Sequence, residues 1–423
     1  GGAGFISSGT GALNIGQDAQ MDFDNAAASN RTLSLGGTTD IAVENIFNPI
    51  KFDPAEINNL FTKLVKQDVN KWIVKGAGAG FVDNASTELN VEGGELDFTT
   101  GALGSSVHAA HINVGTATLG WYAGNTEDLS GRIYLNNTAA AAFNIPSGTV
   151  TLLNSFNGTN GGLATTASLT KYGTGTLELG AANNFSGGLT VSTGTVKASF
   201  AGSVGSGAVS VSNNATLVVN ALLANKINVT LGGTLAGNGL GTNTDDGVTI
   251  EDGGILSPNG DTLGTLSFSK LTLNGGSKVK WQLQNAADTA VAGVGYDTLV
   301  VTTLNLSNAI STKKKIIVEV TSAGPASGFV KTKLNKFEFA NITIDLANGF
   351  NVTNLFSIDA SQFEIDNNLT NDHLVWSMQY AADRDMMYVT TMIPEPSTYG
   401  LGLGALALAA VAIRRRKQKK SVA

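Results

Sequence analysis

The 423-residue chain contains no Cys, which excludes a disulfide framework, a thiol nucleophile and thiolate metal sites. Its 52 Gly residues follow no three-residue period, which excludes collagen, and a hydrophobic content of 42% disfavours wholesale disorder. The net charge is −7, but the last thirty residues carry six basic residues and one acidic residue, so the rest of the chain stands at −12 and should repel nucleic acid.

The first residues, Gly1-Gly2-Ala3-Gly4, include neither a Met nor the basic and apolar regions of a signal peptide. We therefore expect this sequence to be a fragment that has lost its start, and an exported protein would have its signal peptide in the missing part.

Residues 53–70 do not have the alternation of a strand. Asp53 is a natural N-cap, Pro54 suits the first helical position, and Glu56 completes a capping box. Apolar residues follow at helical spacing, namely Ile57, Leu60, Phe61, Leu64 and Val65. The pattern predicts one amphipathic helix, inserted into a β structure, that covers an apolar patch or a strand edge. A partner-binding helix is the alternative.

A short pattern recurs along the chain. It consists of an apolar, a polar and an apolar residue, two or three turn residues rich in Gly and Asn, and another apolar position. Copies begin at Leu89, Leu189, Val209, Ile227, Val248 and Leu271, with a looser copy over residues 143–150. From residue 189 onward the starts are 20, 18, 21 and 23 residues apart. Such alternation predicts two short strands at a corner, and a spacing near 20 residues is typical of one rung of a solenoid.

The segment 169–196 carries further detail. A strand with Lys171, Gly173 and Gly175 precedes the turn Asn183-Asn184-Phe185-Ser186-Gly187-Gly188, and a second strand pair is divided at Gly194. Over about 30 residues this resembles the autotransporter-associated β-strand repeat. The resemblance implies a right-handed parallel β-helix, with Gly173, Gly175, Gly187, Gly188 and Gly194 as its turn glycines. A degraded copy is expected from Lys75 to Leu96, and residues 255–260 and 295–301 resemble closing rungs of such helices.

The Gly content falls between residues 296 and 392, where longer strands are predicted. They include residues 316–320, 337–339 and 386–391. We expect a C-terminal β region that continues or caps the solenoid, because terminal rungs need protection from edge-to-edge association. An independent β-sandwich is the main alternative.

The C-terminus begins with Pro394, Glu395 and Pro396, followed by 17 uncharged residues, 397–413. These would form roughly 25 Å of helix, a marginal membrane span. The basic cluster Arg414, Arg415, Arg416 and Lys417 comes next and should remain cytoplasmic. This order resembles the PEP-CTERM sorting domain of Gram-negative bacteria. The resemblance implies recognition by an exosortase-type membrane protease and an association with exopolysaccharide or biofilm. A plain tail anchor is the alternative.

Candidate chemistry is sparse. His108 and His111 are three residues apart but in a strand-like context, and Asp245-Asp246 lacks the repeated motif of Ca²⁺-binding rolls. Acidic residues in the rungs are scattered, and no nucleophile elbow or phosphate loop is present. We therefore predict no catalytic residues, no metal site and no cofactor.

These observations predict an all-β chain in three parts. Residues 1–295 form the right-handed parallel β-helix with the helical insertion at about 53–70, residues 296–392 the C-terminal β region, and residues 393–423 the sorting signal with a single transmembrane helix. The expected function is that of an exported, adhesin-like structural protein of the cell surface or matrix. Its expected partners are an exosortase, exopolysaccharide or other surface glycans, and the membrane, but not nucleic acid. We expect it to be anchored in the inner membrane before processing and then placed at the outer membrane, cell surface or matrix. The alternatives are a glycan-active β-helix enzyme and a fragment of an autotransporter passenger, which the Arg-rich end disfavours.

Overall fold

The structure of the chain is a computed structural model. It describes residues 2–8, 10–15, 32–40, 42–47, 63–76, 88–104, 111–157, 165–212, 214–241, 247–287, 289–330, 334–344, 352–370, 372, 374–381 and 383–392. These residues are nearly all β, with 32 strands and two short α-helices.

The strands fall into three runs along the chain. The first run is β1 (Gly2–Ser7), β2 (Asn14–Ile15), β3 (Thr32–Gly37), β4 (Glu44–Phe47), β5 (Lys63–Lys66), β6 (Lys71–Val74), β7 (Glu88–Val91), β8 (Glu95–Phe98), β9 (Ile112–Val114), β10 (Thr118–Trp121), β11 (Ile133–Leu135) and β12 (Ala140–Asn144). The second run is β13 (Thr149–Leu152), β14 (Ser168–Tyr172), β15 (Thr176–Leu179), β16 (Leu189–Val191), β17 (Thr195–Ala198), β18 (Val209–Val211), β19 (Thr216–Val219), β20 (Ile227–Val229), β21 (Thr234–Gly237), β22 (Leu240–Gly241), β23 (Val248–Ile250) and β24 (Ile255–Pro258).

The last run is β25 (Thr265–Leu273), β26 (Lys278–Gln282), β27 (Thr298–Asn305), β28 (Ile316–Thr321), β29 (Asn335–Ile344), β30 (Phe356–Asp359), β31 (Val375–Ala381) and β32 (Met386–Met392). The helices are α1 (Ser307–Thr312) and α2 (Ser361–Asp366), and single 3₁₀ turns occupy Tyr122–Gly124, Ser130–Arg132 and Val352–Leu355.

The strands form three parallel sheets, named A, B and C here. Sheet A contains β1, β3, β5, β7, β9 and β11 in that order. Sheet B contains the even-numbered strands from β2 to β20 and then β23, β25, β27 and β29, and the short β22 pairs with the first part of β25. Sheet C contains β13, β15, β17, β19, β21, β24, β26, β28 and β30. Each turn of the chain adds one strand to two or three of the sheets, so the predicted parallel β solenoid is confirmed.

The core consists of aliphatic columns that run through the stack. Leu33, Leu64, Leu89, Ile112 and Ile133 are successive register partners in sheet A, and all are buried. The five predicted copies from Leu189 to Leu271 are register partners too, since Leu189 pairs with Val209, and the pairing continues through Ile227, Val248 and Leu271. The alternation predicted from the sequence therefore places one residue in two inside the stack.

Two kinds of corner occur in the stack. From β7 to β8 the chain turns at residues 92–94 from sheet A into sheet B, which we call an A/B corner. From β16 to β17 it turns at residues 192–194 from sheet B into sheet C, a B/C corner. The rung of β11, β12 and β13 contains both corners and marks the change. The copies at Leu89 and Leu189 are thus alike in sequence but lie at different corners.

Buried aromatic rings fill the core near the rung of β11, β12 and β13, where the A/B corners give way to B/C corners. Phe98, Trp121, Phe143, Phe156 and Phe185 form a continuous run, with neighbouring ring centroids 5.3 to 6.4 Å apart. Large rings fill a cross-section that aliphatic columns alone would leave open, and edge-to-face pairs add to the burial energy.

The predicted helix at 53–70 is wrong over residues 63–70. Lys63–Lys66 is strand β5, which pairs in parallel with β3 and β7, and a turn follows it. The helical spacing of Leu64 and Val65 with earlier apolar residues was misleading, because ladder pairing and burial on both sides of β5 outweigh a local helical period. Residues 53–60, with Asp53, Pro54 and Glu56, lie outside the described residues.

The stack continues across the expected boundary at residue 296, since β27 pairs in parallel with β25. This continuity disfavours a separate β-sandwich.

The carboxyl group of Asp297, just before β27, is fully buried. It accepts backbone hydrogen bonds from Gly264 and Gln282, both at 2.9 Å. Sheet B ends with a reversal, because β32 pairs antiparallel with β29 and β31 antiparallel with β32.

Candidate functional site

The predicted turn glycines lie at corners of the stack. Gly173, Gly188 and Gly194 have positive φ angles of 79°, 97° and 68°. At Gly175 and Gly187 a Cβ atom would approach backbone oxygens of the preceding rung within 2.9 and 2.6 Å. Each corner therefore presses directly on its neighbour, and a side chain at these positions would separate the rungs.

A buried lysine fills one B/C corner. Lys171 is the inward-facing register partner of Val191, but its Nζ turns into the corner and donates to the carbonyl oxygens of Gly173 at 2.6 Å and Thr193 at 3.2 Å. The first carbonyl belongs to its own rung and the second to the next. The ammonium group thus joins two successive corners.

Lys66 does the same at an A/B corner. It is the register partner of Val91, and its Nζ donates to the carbonyl oxygens of Gln67 (2.7 Å), Asp68 (3.1 Å) and Gly93 (2.9 Å). Both lysine side chains are fully buried. Burial lowers the pKa of each ammonium group to about 8 from 10.5.

This equivalence corrects the register of the degraded copy expected at Lys75. The counterpart of Lys171 is Lys66, nine residues earlier. Two residues after each lysine stands a residue with positive φ, Gly173 in one case and Asp68, at 62°, in the other. Asp tolerates this conformation better than most residues, so the corner survives without Gly. The sequence did not reveal that Lys66 corresponds to Lys171, because Gly was expected two residues after the lysine and Asp68 stands there instead.

A second cluster lies on the outer face of sheet B. Lys71 on β6 faces the next rung, where its Nζ lies 2.8 Å from Oδ2 of Asp97 and 3.3 Å from Oε1 of Glu95. Asn144, two rungs further along the stack, donates to Glu95 Oε1 at 2.9 Å. Asp97 is 1% exposed and Glu95 9% exposed. Two carboxyl groups and one amine are therefore held together with little access to water.

The two carboxyl groups have different proton affinities. Burial and the neighbouring Glu95 raise the pKa of Asp97 to about 7 from 3.8. Burial opposes ionisation of Glu95 as well, but hydrogen bonds with Asp97 and Asn144 and the charge of Lys71 lower the pKa of Glu95 on balance. Hydrogen bonds and charges from both carboxyl groups outweigh burial and raise the pKa of Lys71. Asp97 is therefore the carboxyl group of the pair that keeps its proton to the higher pH.

Glu95 was among the rung acids expected to be scattered (Glu92, Glu95, Glu178, Glu251 and Asp252), and the structure corrects this for Glu95, which shares Lys71 with Asp97. Their spacing of two residues, which places both side chains on one face of a strand, was the available signal. Lys71 was missed because the helix expected at 53–70 displaced the rung that contains it. A carboxyl pair with unequal pKa values has the composition of a general acid and base, although its burial keeps a polymer from reaching it.

The remaining candidate metal ligands of the sequence do not form a site among the described residues. His111 is exposed and stacks on Tyr134, with ring centroids 4.1 Å apart. His108, Asp245 and Asp246 lie outside the described residues. Among the residues that the structure describes, no group of three or more His, Asp or Glu side chains could hold a metal ion.

The tail residues predicted as the sorting motif and basic cluster also lie outside the described part of the chain. They are Pro394, Glu395 and Pro396, and Arg414, Arg415, Arg416 and Lys417. In the part that is described, no helix has the length and apolar character needed to cross a membrane.

Comparison with known proteins bears on this tail. A family model described as the PEP-CTERM protein-sorting motif matches residues 393–417. A search of curated proteins found no match. The matched segment contains both the Pro-Glu-Pro motif and the basic cluster. The motif supports an exported, surface-associated protein that is anchored in the membrane before processing by an exosortase-type system.

Proposed function

We propose that this chain is a non-enzymatic, adhesin-like structural protein of the cell surface or extracellular matrix of a Gram-negative bacterium, associated with exopolysaccharide or biofilm. The match of residues 393–417 to the sorting motif carries the proposal. We further propose that its rungs are passenger-type repeats of the autotransporter-associated kind.

The stack supports a role as a stalk. The fourteen parallel strands of sheet B, from β2 to β29, would extend over roughly 60 Å at the usual spacing of neighbouring strands. An array of this kind can be long without a large core, because each rung needs only its neighbours. Such a body suits a protein that must project a surface away from a membrane.

The outer face of sheet C supports glycans as partners. One of its columns carries five hydroxyl groups in register, from Thr149, Thr176, Thr195, Thr216 and Thr234. A column of hydroxyl groups at regular spacing can exchange hydrogen bonds with a hydroxyl-rich polymer, and its lack of charge avoids repulsion between the acidic body and an acidic polysaccharide.

The sorting step is tested by replacing Pro394, Glu395 and Pro396 together with Ala in the native host. We expect the wild-type surface form to lack the peptide with Arg414–Arg416, and the variant to keep it and remain in the membrane fraction. The matched control replaces Ser397 and Thr398 with Ala and should be processed. Mass spectrometry that finds an intact tail on the wild-type surface form would overturn processing by an exosortase.

A glycan-active enzyme is the second candidate. The composition of the cluster of Lys71, Glu95 and Asp97 on adjacent rungs favours it, whereas the burial of the two carboxyl groups disfavours it. The full chain is incubated with acidic and neutral polysaccharides, and new reducing ends and unsaturated products are measured. We expect no depolymerisation. Turnover that D97N abolishes, and that the exposed control D383N retains, would replace the structural proposal with the enzymatic one.

A further inference from the structure

A cleft opens near the C-terminal end of the stack. It lies between Ala286, Ala287, Ala290 and Tyr296, in the connection from β26 to β27, and the antiparallel pair of β29 and β32. Its volume is about 360 Å³, which is within the range of small-molecule sites, about 300 to 1,000 Å³. The buried rings of Tyr296 and Tyr388 form part of its wall.

Two cations face this cleft. Lys336 is exposed, and its Nζ lies 3.8 Å from the ring centroid of Tyr388, which holds the ammonium group over the ring. Arg384 is also exposed, and its contact with Asp383, at 3.8 Å, is an exposed surface pair of little strength. Both cations are therefore available to an anion, in a body whose net charge is otherwise negative.

An acid accompanies them. Glu338 follows Lys336 by two residues on the same exposed face of β29 and also lines the cleft. A carboxylate repels a simple anion but accepts hydrogen bonds from hydroxyl groups. A ligand that carries a negative charge and several hydroxyl groups on a small frame would satisfy all three side chains.

We propose that this cleft binds a carboxylate-bearing sugar residue, with Lys336 and Arg384 on the carboxylate and Glu338 on hydroxyl groups. The inference rests on the proposed association with glycans and names the acidic polysaccharides as its class. An ammonium and a guanidinium group give charge-assisted hydrogen bonds to a carboxylate, and these are the stronger kind. The rest of the polymer would extend from the cleft along the exposed surface.

The test titrates the full chain in detergent with glucuronate and galacturonate, and with glucose and acetate, by calorimetry. We expect millimolar binding of at least one uronate, with glucose and acetate weaker by about tenfold. K336Q and R384Q should each weaken uronate binding by about tenfold, and E338Q should bring acetate closer to the uronate. The control K280Q changes an exposed lysine on sheet C and should bind as the wild type does.

Equal binding of glucose, equal binding of acetate, or an unchanged uronate affinity in K336Q and R384Q would overturn the site. Retention of the same variants in gels that contain an acidic or a neutral polysaccharide is measured in parallel. Retention in which all variants match the wild type leaves the glycan association standing and rejects the cleft. The absence of retention in every gel rejects the association itself.

Discussion

Gly120 lies opposite Asp97 in the pairing of β10 with β8, and the carboxyl group of Asp97 occupies the space where a side chain at position 120 would begin. A glycine on one rung therefore makes room for a buried carboxyl group on the previous one. The Lys71–Glu95–Asp97 cluster therefore depends on the lack of a side chain at position 120 of β10.

This relationship predicts that G120A destabilises the protein. A Cβ atom would overlap Oδ1 of Asp97, and such overpacking typically costs about 1–3 kcal/mol. Urea unfolding followed by circular dichroism measures the change, and G131A, where the nearest atoms lie 3.8 Å from an added Cβ, is the control. The double variant D97A/G120A should lose less than the two single changes together. Additive losses would show that the two residues are not coupled.

The buried carboxyl groups predict the dependence of stability on pH. Burial raises the pKa of both Asp97 and Asp297 to about 7 from 3.8, so between these values the folded state holds protons that the unfolded state has released. The free energy of unfolding should therefore fall as pH rises from about 4 to about 7.

Thermal unfolding from pH 4 to 8 tests this dependence. D97N imitates the protonated form and should reduce the fall, whereas the exposed control D383N should leave it unchanged. A wild-type melting temperature that rises over this range would contradict the assignment of both raised pKa values.

The corner lysines predict a dependence of the opposite sign at higher pH. Burial lowers the pKa of Lys66 and Lys171 to about 8 from 10.5, so between these values the unfolded state holds the extra protons and stability should rise with pH. K171M should lose about 1–3 kcal/mol at pH 7, because the carbonyl groups of Gly173 and Thr193 both lose the ammonium donor.

The comparison is made by urea unfolding at pH 7 and pH 10. The gain between these pH values should be smaller in K171M than in the wild type and should be retained in K280M, which changes an exposed lysine. A K171M protein as stable as the wild type at pH 7 would show that the ammonium group does not join the corners.

The corner glycine at residue 194 predicts the largest single loss. Its φ is 68°, and an added Cβ atom would lie 2.7 Å from Nζ of Lys171 and would overlap backbone oxygens of the preceding corner. G194A should cost at least about 2 kcal/mol, from backbone strain and lost contact between rungs. G11A, where an added Cβ has no atom within 4 Å, is the control for loss of glycine itself. Equal stability of the two variants would refute the argument.

Much of the fold was predictable because the same sequence pattern recurs in successive rungs of a solenoid. The five copies from Leu189 to Leu271 are register partners, since alternation and turn residues recur at nearly constant spacing. β5 was not predictable in this way. Its four residues include two lysines and share apolar spacing with the segment before it, and the strand is defined by partners 25 or more residues away.

The side-chain clusters were harder to predict from the sequence. Lys66 and Lys171 stand where aliphatic residues are expected, and only the carbonyl groups of the following rung show why a charge is tolerated there. Lys71 and Asp97 meet across two strands separated by an undescribed segment, so their contact depends on the register of β6 against β8. The local pattern of apolar and turn residues predicts the strands of each rung, whereas the side chains that meet between rungs depend on how distant strands pair.

The change from A/B to B/C corners has a consequence for how the chain can lengthen. A tandem duplication of a 20-residue unit between β16 and β20 would add one more B/C corner to a series of identical ones, and every neighbour would keep its partner. The same unit inserted before β11 would bring a strand of sheet C into a region without that sheet, where its backbone groups would find no ladder. Length variation among relatives built in this way should therefore add B/C units only on the C-terminal side of the rung formed by β11, β12 and β13, and A/B units only on its N-terminal side.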